Sequence, residues 1–124
     1  MNGYQQLQWI KHRWRAKSRH GIHSPFVYHF SETVLYKQSS HGLKNRIAAY
    51  FKEEDLQFND WNLSNISPAT VIVFENIHVS PQQHQAWLQL LNDPRITMSI
   101  DTFYFGILLF RKEFKIHQHF LLRS

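Results

Sequence analysis

The sequence predicts one α/β domain: a small mixed sheet of three or four strands in its second half, with N-terminal helices packed on it. Three observations predict this. The first 51 residues place apolar side chains at helical spacing, interrupted by a Ser-Pro helix start at Ser24-Pro25. Val71–Phe74 is an unbroken apolar run rich in β-branched residues, which suits a strand covered on both faces. A capped helix and two further apolar segments follow it closely. With 124 residues, 43% hydrophobic and 15% aromatic, the chain supports one core and is not disordered.

The elements follow in order. Residues 4–17 read as a helix with Tyr4, Leu7, Ile10 and Trp14 on one inward face and Trp9 pointing away. Residues 18–23 form a loop broken by Gly21. Ser24 caps a helix that begins at Pro25, runs to about Tyr36 and buries Phe26, Val27, Phe30, Val34 and Leu35. Leu43–Phe51 is a third helix, with Leu43, Ile47 and Tyr50 or Phe51 inward. The span 53–69 is a polar connector between the helical part (1–52) and the strand-helix-strand-strand unit (70–124). Within the connector, 55–59 has the composition of a short strand, and Trp61, Leu63 and Ile66 sit in a loop. Ser80-Pro81-Gln82-Gln83 is a capping-box start. Its helix runs to about Leu91 over Ala86, Trp87, Leu90 and Leu91, and Asn92-Asp93-Pro94 ends it. Ile96–Asp101 alternates strictly, the pattern of a half-buried strand. Phe105–Phe110 is uniformly apolar and more central, and Phe120–Leu122 is a candidate last strand.

Charge and cysteine usage narrow the function. The net charge of +5 resides in one segment: Lys11, Arg13, Arg15, Lys17 and Arg19 lie in the first 20 residues, which hold no acid, and the remainder balances to zero. Basic groups interleaved with Trp9 and Trp14 suit nucleic acid. A basic amphipathic helix can also lie on an anionic membrane surface. The favoured reading is a helix whose Arg and Lys stems cover the rim of its own packing face. Cysteine is absent, so disulfide and thiolate chemistry are excluded. No apolar run approaches a membrane span and no secretory h-region is present, so the expected location is cytoplasmic.

Two segments carry a resemblance. Arg19-His20-Gly21-Ile22-His23-Ser24-Pro25-Phe26-Val27 and Val71-Ile72-Val73-Phe74-Glu75-Asn76-Ile77-His78, the latter followed by a helix and Gln118-His119-Phe120-Leu121-Leu122-Arg123, together resemble the two ends of a class I S-adenosylmethionine (SAM)-dependent methyltransferase family of Bacteroidetes-type bacteria. The resemblance covers roughly residues 15–37 and 68–123, with Arg19, His20, His23, Ser24 and Pro25 as the N-terminal motif. It implies that Val71–Phe74 is the fifth strand of that fold and Ile96–Asp101 the sixth. Phe105–Phe110 is then an antiparallel seventh strand between them.

The middle of that family, which carries the cofactor site, is missing. A SAM site of this kind needs a Gly-rich turn after the first strand. The four glycines, Gly3, Gly21, Gly42 and Gly106, are too far apart to form one. The expected function is therefore a methyltransferase-like remnant without a SAM site, acting as a non-catalytic binding or assembly protein with no cofactor. One alternative is a family member that uses SAM only with a partner or dimer mate. Another is a nucleic-acid-binding module built on the basic helix. Removal of the first four strands would expose the edge of strand five, so a homodimer or other protein partner is expected unless residues 56–59 or the N-terminal helices cover it.

Candidate ligands are few. Glu75, Asn76 and His78 follow a presumed parallel strand at its carboxyl end, where ligands of open α/β sheets bind, and the resemblance adds a divalent cation held by the acidic-Asn pair. Asp60 is a possible third oxygen ligand if residues 55–60 replace strand four. His20, His23 and His78 with Glu75 form a second set suited to zinc, and His117-x-His119 a third. The favoured reading is the plainer one in each case: an inherited loop with no ligand at Glu75-Asn76, and polar surface or hydrogen-bonded loop residues for the histidines. Ser24 and Ser80 read as helix caps, no Gly-x-Ser-x-Gly elbow exists, and Glu53-Glu54-Asp55 reads as a solvated helix end.

Overall fold

The computed structural model describes residues 1–16, 24–36, 42–114 and 117–123, with the Trp14 side chain outside the description. Their helices are α1 (Gly3–Arg15), α2 (Pro25–Phe30), α3 (Leu43–Tyr50) and α4 (Pro81–Leu90). Their strands are β1 (Asp55–Phe58), β2 (Thr70–Glu75), β3 (Met98–Asp101), β4 (Phe105–Leu109) and β5 (Gln118–Leu121). α2 continues through Ser31–Leu35 as a π-helical turn. The caps follow the sequence: Ser24 accepts from Val27 N and Ser80 from Gln83 N, each ahead of a proline at the helix start. None of these helices is long and apolar enough to cross a membrane.

The strands form one open sheet in the order β1-β2-β4-β3-β5. β1 pairs parallel with β2 and β5 parallel with β3, while β4 lies antiparallel between β2 and β3. Every strand except β4 therefore runs the same way, and Phe58, Glu75, Asp101 and Leu121 mark a common carboxyl edge. The sheet is small and mixed as expected, and its two short outer strands raise the count to five. β1 occupies the edge of β2, so this chain supplies its own cover there.

The sheet is packed on both faces. Val71, Val73, Ile100, Ile107 and Leu109 face the α2–α3 side, against Val27, Phe30, Val34, Ile47 and Phe51. Ile72, Phe74 and Leu108 face α4, against Ile77, Trp87 and Ile96. The central strands thus send alternate residues into two cores, which is why β2 reads as continuously apolar. Gly106 allows the closest approach on the α4 side. A Cβ there would lie 2.6 Å from two ring atoms of Trp87.

Three sequence expectations are corrected. In α1, Leu7 and Ile10 are 51% and 49% exposed, and the inward face is Tyr4, Gln8, His12 and Ala16. The surface beneath α1 offers polar partners, so the face able to hydrogen-bond is the one that docks. In β3, both sides of the alternating strand are buried, with Ser99 at 2% and Asp101 at 5% exposure. Ser99 and Asp101 lie opposite Leu108 and Gly106 on the face that α4 and α1 cover, and His119 and His78 take up their side chains. The sequence offers Trp9, Trp61 and Phe58 as exposed aromatic anchors for a partner, but the Trp61 ring packs 4.6 Å from that of Phe74, whereas Trp9 and Phe58 are exposed.

Candidate functional site

The carboxyl edge of β3 carries a buried polar cluster. Asp101 ends β3, His78 lies in the turn between β2 and α4, and His12 comes from the inward face of α1. Asn76 reverses the chain after β2 with φ 60°, a conformation that asparagine tolerates well. That turn buries Ile77 and directs His78 toward β3. α1 is brought over the same edge by Asn2 Nδ2–H donating to Val79 O at 2.8 Å and by a 3.1 Å hydrogen bond between the Tyr4 hydroxyl and His84 Nδ1.

Asp101 is the centre. Its Oδ2 lies 2.7 Å from His78 Nε2, and its Oδ1 accepts from Phe103 N at 2.8 Å. His12 Nδ1 stands 3.6 Å from Asp101 Oδ1, and His12 Nε2 lies 2.8 Å from Leu122 O. A carbonyl only accepts, so Nε2 of His12 carries the hydrogen. His12 and His78 are each 5% exposed, and the Nδ1 atoms of both rings have no hydrogen-bond partner among the described residues. Burial pulls the His12 pKa below the ordinary imidazole value, against the opposing pull of Asp101 and the Leu122 carbonyl. The 3.6 Å approach is an ion pair only if His12 is protonated, and burial, the larger influence, disfavours that form. His84 is also lowered, first by burial and then by His78. Phe103 walls the cluster: its ring stacks on His78 at 5.0 Å with planes 4° apart and meets His12 edge-on at 5.7 Å.

A cavity of about 220 Å³ opens beside the cluster. Gln8, Ser99 and His119 add polar groups, Trp87 and Leu91 an apolar wall, and Lys11 and Arg15 positive charge. Ser99 Oγ and His119 Nδ1 are hydrogen-bonded. The cavity lies at the carboxyl edge of parallel strands, where open α/β sheets place their ligands.

The expected site residues separate. His78 is in the cluster. Glu75 instead accepts from Asn59 Nδ2 at 3.1 Å and pairs with Lys44 at 3.1 Å, and those two contacts hold its carboxyl below the usual range. Asn76 serves the turn. Asp60 is taken up by its own loop, accepting from the backbone N–H groups of Asn62 and Ser64. Of the basic segment, Lys11 and Arg15 border the cavity and the Arg13 guanidinium lies 5.1 Å over the Trp9 ring. Lys17, Arg19, His20 and His23 lie outside the described residues, and Ser24-Pro25 is a helix start.

Sequence reasoning missed His12 and Asp101. His12 was hidden because it sits on the polar side of an apparently amphipathic helix, Asp101 because it occupies a polar position of an alternating strand. Their signal lies in the pairing of β3 with β5, which one sequence does not display. No family model, curated protein or solved structure matches this chain.

Proposed function

We propose that this chain is a binding module on a methyltransferase-type partial sheet, and that its ligand occupies the cleft beneath α1. The observation that carries the reading is the cleft itself: buried His12, His78 and Asp101 converge on a cavity at the carboxyl edge, bordered by Lys11 and Arg15. Apolar pockets with a few convergent polar groups are the usual form of small-ligand sites. At about 220 Å³ the space falls below the ~300–1,000 Å³ typical of drug-sized ligands. It suits a small molecule, and the basic border favours an anionic one.

The methyltransferase ancestry is supported by the antiparallel β4 between β2 and β3, the arrangement that the resemblance implies for strands five, seven and six. The absence of SAM chemistry from this reading is supported by the sequence, whose scattered glycines supply no phosphate- or cofactor-cradling turn. A cytoplasmic location belongs to the same reading. An added assembly role, with a second copy or another protein, is supported by Leu7, Trp9 and Ile10 of α1, which remain exposed.

Titration calorimetry with SAM and its demethylated product, with mass measured in the same buffer, tests this. No heat is expected from either compound. Micromolar binding of either would overturn the reading and restore a methyltransferase. A mass at twice the 15.0 kDa of one chain would support assembly, and a monomeric mass would leave the cleft as the functional surface.

A further inference from the structure

We propose that His12, His78 and Asp101 form a binding site for one divalent transition-metal ion of the zinc type, with an open coordination position facing the cavity. Among the described residues these three form the one group of His, Cys, Asp or Glu whose ligand atoms, one from each, all lie within 4.8 Å of one another. They come from α1, the β2–α4 turn and the end of β3, so their meeting is a product of the tertiary fold and not of local sequence.

The hydrogen bonding favours a cation. With its hydrogen on Nε2, a neutral His12 presents the Nδ1 lone pair toward Asp101 Oδ1 at 3.6 Å. A lone pair facing a carboxylate inside a buried site is repulsive, and that nitrogen has no hydrogen-bond donor among the described residues. A metal ion between the two converts the repulsion into two bonds. The spacing suits it. Ligands about 2.0–2.1 Å from a tetrahedral ion lie roughly 3.3–3.4 Å apart. The His12–Asp101 approach is slightly longer. The 2.7 Å His78–Asp101 contact is a hydrogen bond from Nε2–H to the carboxylate, so ion binding requires the His78 hydrogen to move to Nδ1, after which side-chain shifts well under 1 Å bring both pairs to that value.

The outer contacts of His12 and Asp101 are those that metal sites use. A ligating histidine usually donates its other ring N–H to a carbonyl or carboxylate, which fixes the tautomer. His12 does this with Leu122 O. A ligating carboxylate is itself hydrogen-bonded, and Asp101 accepts from Phe103 N. The Phe103 ring packs against both histidines and keeps that side dry. Two imidazoles and one carboxylate select zinc, cobalt or nickel over calcium and magnesium, which require more oxygen ligands. Three protein ligands leave a fourth position for water or an anion from the cavity.

The test is zinc titration by calorimetry on chelator-treated, dialysed protein, with magnesium as control. One zinc per chain at micromolar affinity or better is expected, with a raised Tm and no magnesium binding. His12→Gln and His78→Gln should each bind at least about ten-fold more weakly while keeping their far-UV circular dichroism. A wild-type chain that takes up no zinc overturns the proposal. Unchanged affinity in both glutamine variants also overturns it, since surface histidines such as His117 would then be the ligands. If either variant fails to fold, cobalt titration of the wild type decides. Visible bands of a four- or five-coordinate ion support the site, and the faint spectrum of hydrated cobalt refutes it. Zinc and SAM titrations are independent, so failure of this proposal is distinguishable from failure of the binding-module reading.

Discussion

Phe103 has φ 78°, a conformation that costs a bulky L-residue about 1–2 kcal/mol. It is held there by its ring between His78 and His12 and by its N–H on Asp101. Such strain persists where the surroundings over-determine it, often beside functional sites. Two effects therefore compete at this position. Losing the ring should cost roughly 3–5 kcal/mol in Phe103→Ala. Phe103→Gly removes one carbon more yet relieves the backbone, so it should be more stable than the alanine variant by about 1 kcal/mol, as read by urea denaturation. An alanine variant that is the more stable of the two would mean the backbone is not strained.

Asn59 gives a second residue-scale expectation. It also sits at positive φ, and its side chain both donates to and accepts from Glu75. Because the Glu75 carboxyl is depressed by Asn59 first and Lys44 second, its contribution is present above the unfolded carboxylate range and is lost as pH falls through the lower folded value. Asn59→Gly keeps the turn and removes both hydrogen bonds. Its stability deficit should be largest near pH 7 and shrink below about pH 4, measured as Tm against pH.

At the scale of elements, the two places where hydrophobic patterning misled are the two that face each other across the cleft. α1 turns Gln8 and His12 inward and leaves Leu7 and Ile10 out; β3 buries Ser99 and Asp101. Patterning assumes that polar means solvent. It fails where a buried surface is itself polar, which is where functional sites are expected. The other elements were legible because one mechanism acted alone: Ser80-Pro81 starts α4, and the β-branched run of β2 fits a doubly covered strand. Accordingly, Leu7→Gln with Ile10→Gln should change monomer stability by no more than about 0.5 kcal/mol each, checked by thermal denaturation. An amphipathic α1 buried on Leu7 and Ile10 would lose several times that. Gly106→Ala should destabilise by about 1–3 kcal/mol, because the Trp87 ring occupies the space its methyl needs and is itself wedged under α4.

For the whole molecule, the sheet order decides what is stable and what is adjustable. β2, β4 and β3 are fully laddered and covered on both faces. Among the described residues, α1 is tied to the domain by polar contacts near the cleft. Native-state hydrogen exchange should therefore show α1 amides opening well before those of β2 and β4. Equal protection would mean that α1 belongs to the cooperative core. The sequence did not reveal this gradation, since the strength of α1 docking depends on Leu122 and Asp101, which are remote along the chain.

The hydrogen bond from His12 to Leu122 joins positions 110 residues apart. During synthesis, His12 leaves the ribosome early and waits for its carbonyl until β5 has emerged and paired with β3. Nothing shorter than residue 122 completes the cleft. A chain stalled or clipped ahead of β5 can hold the β2–β4–β3 ladder and still lack an anchored His12. The cleft thus reports that the polypeptide has been made through β5, and any ion or small molecule captured there would bind copies that contain β5 in preference to shorter fragments.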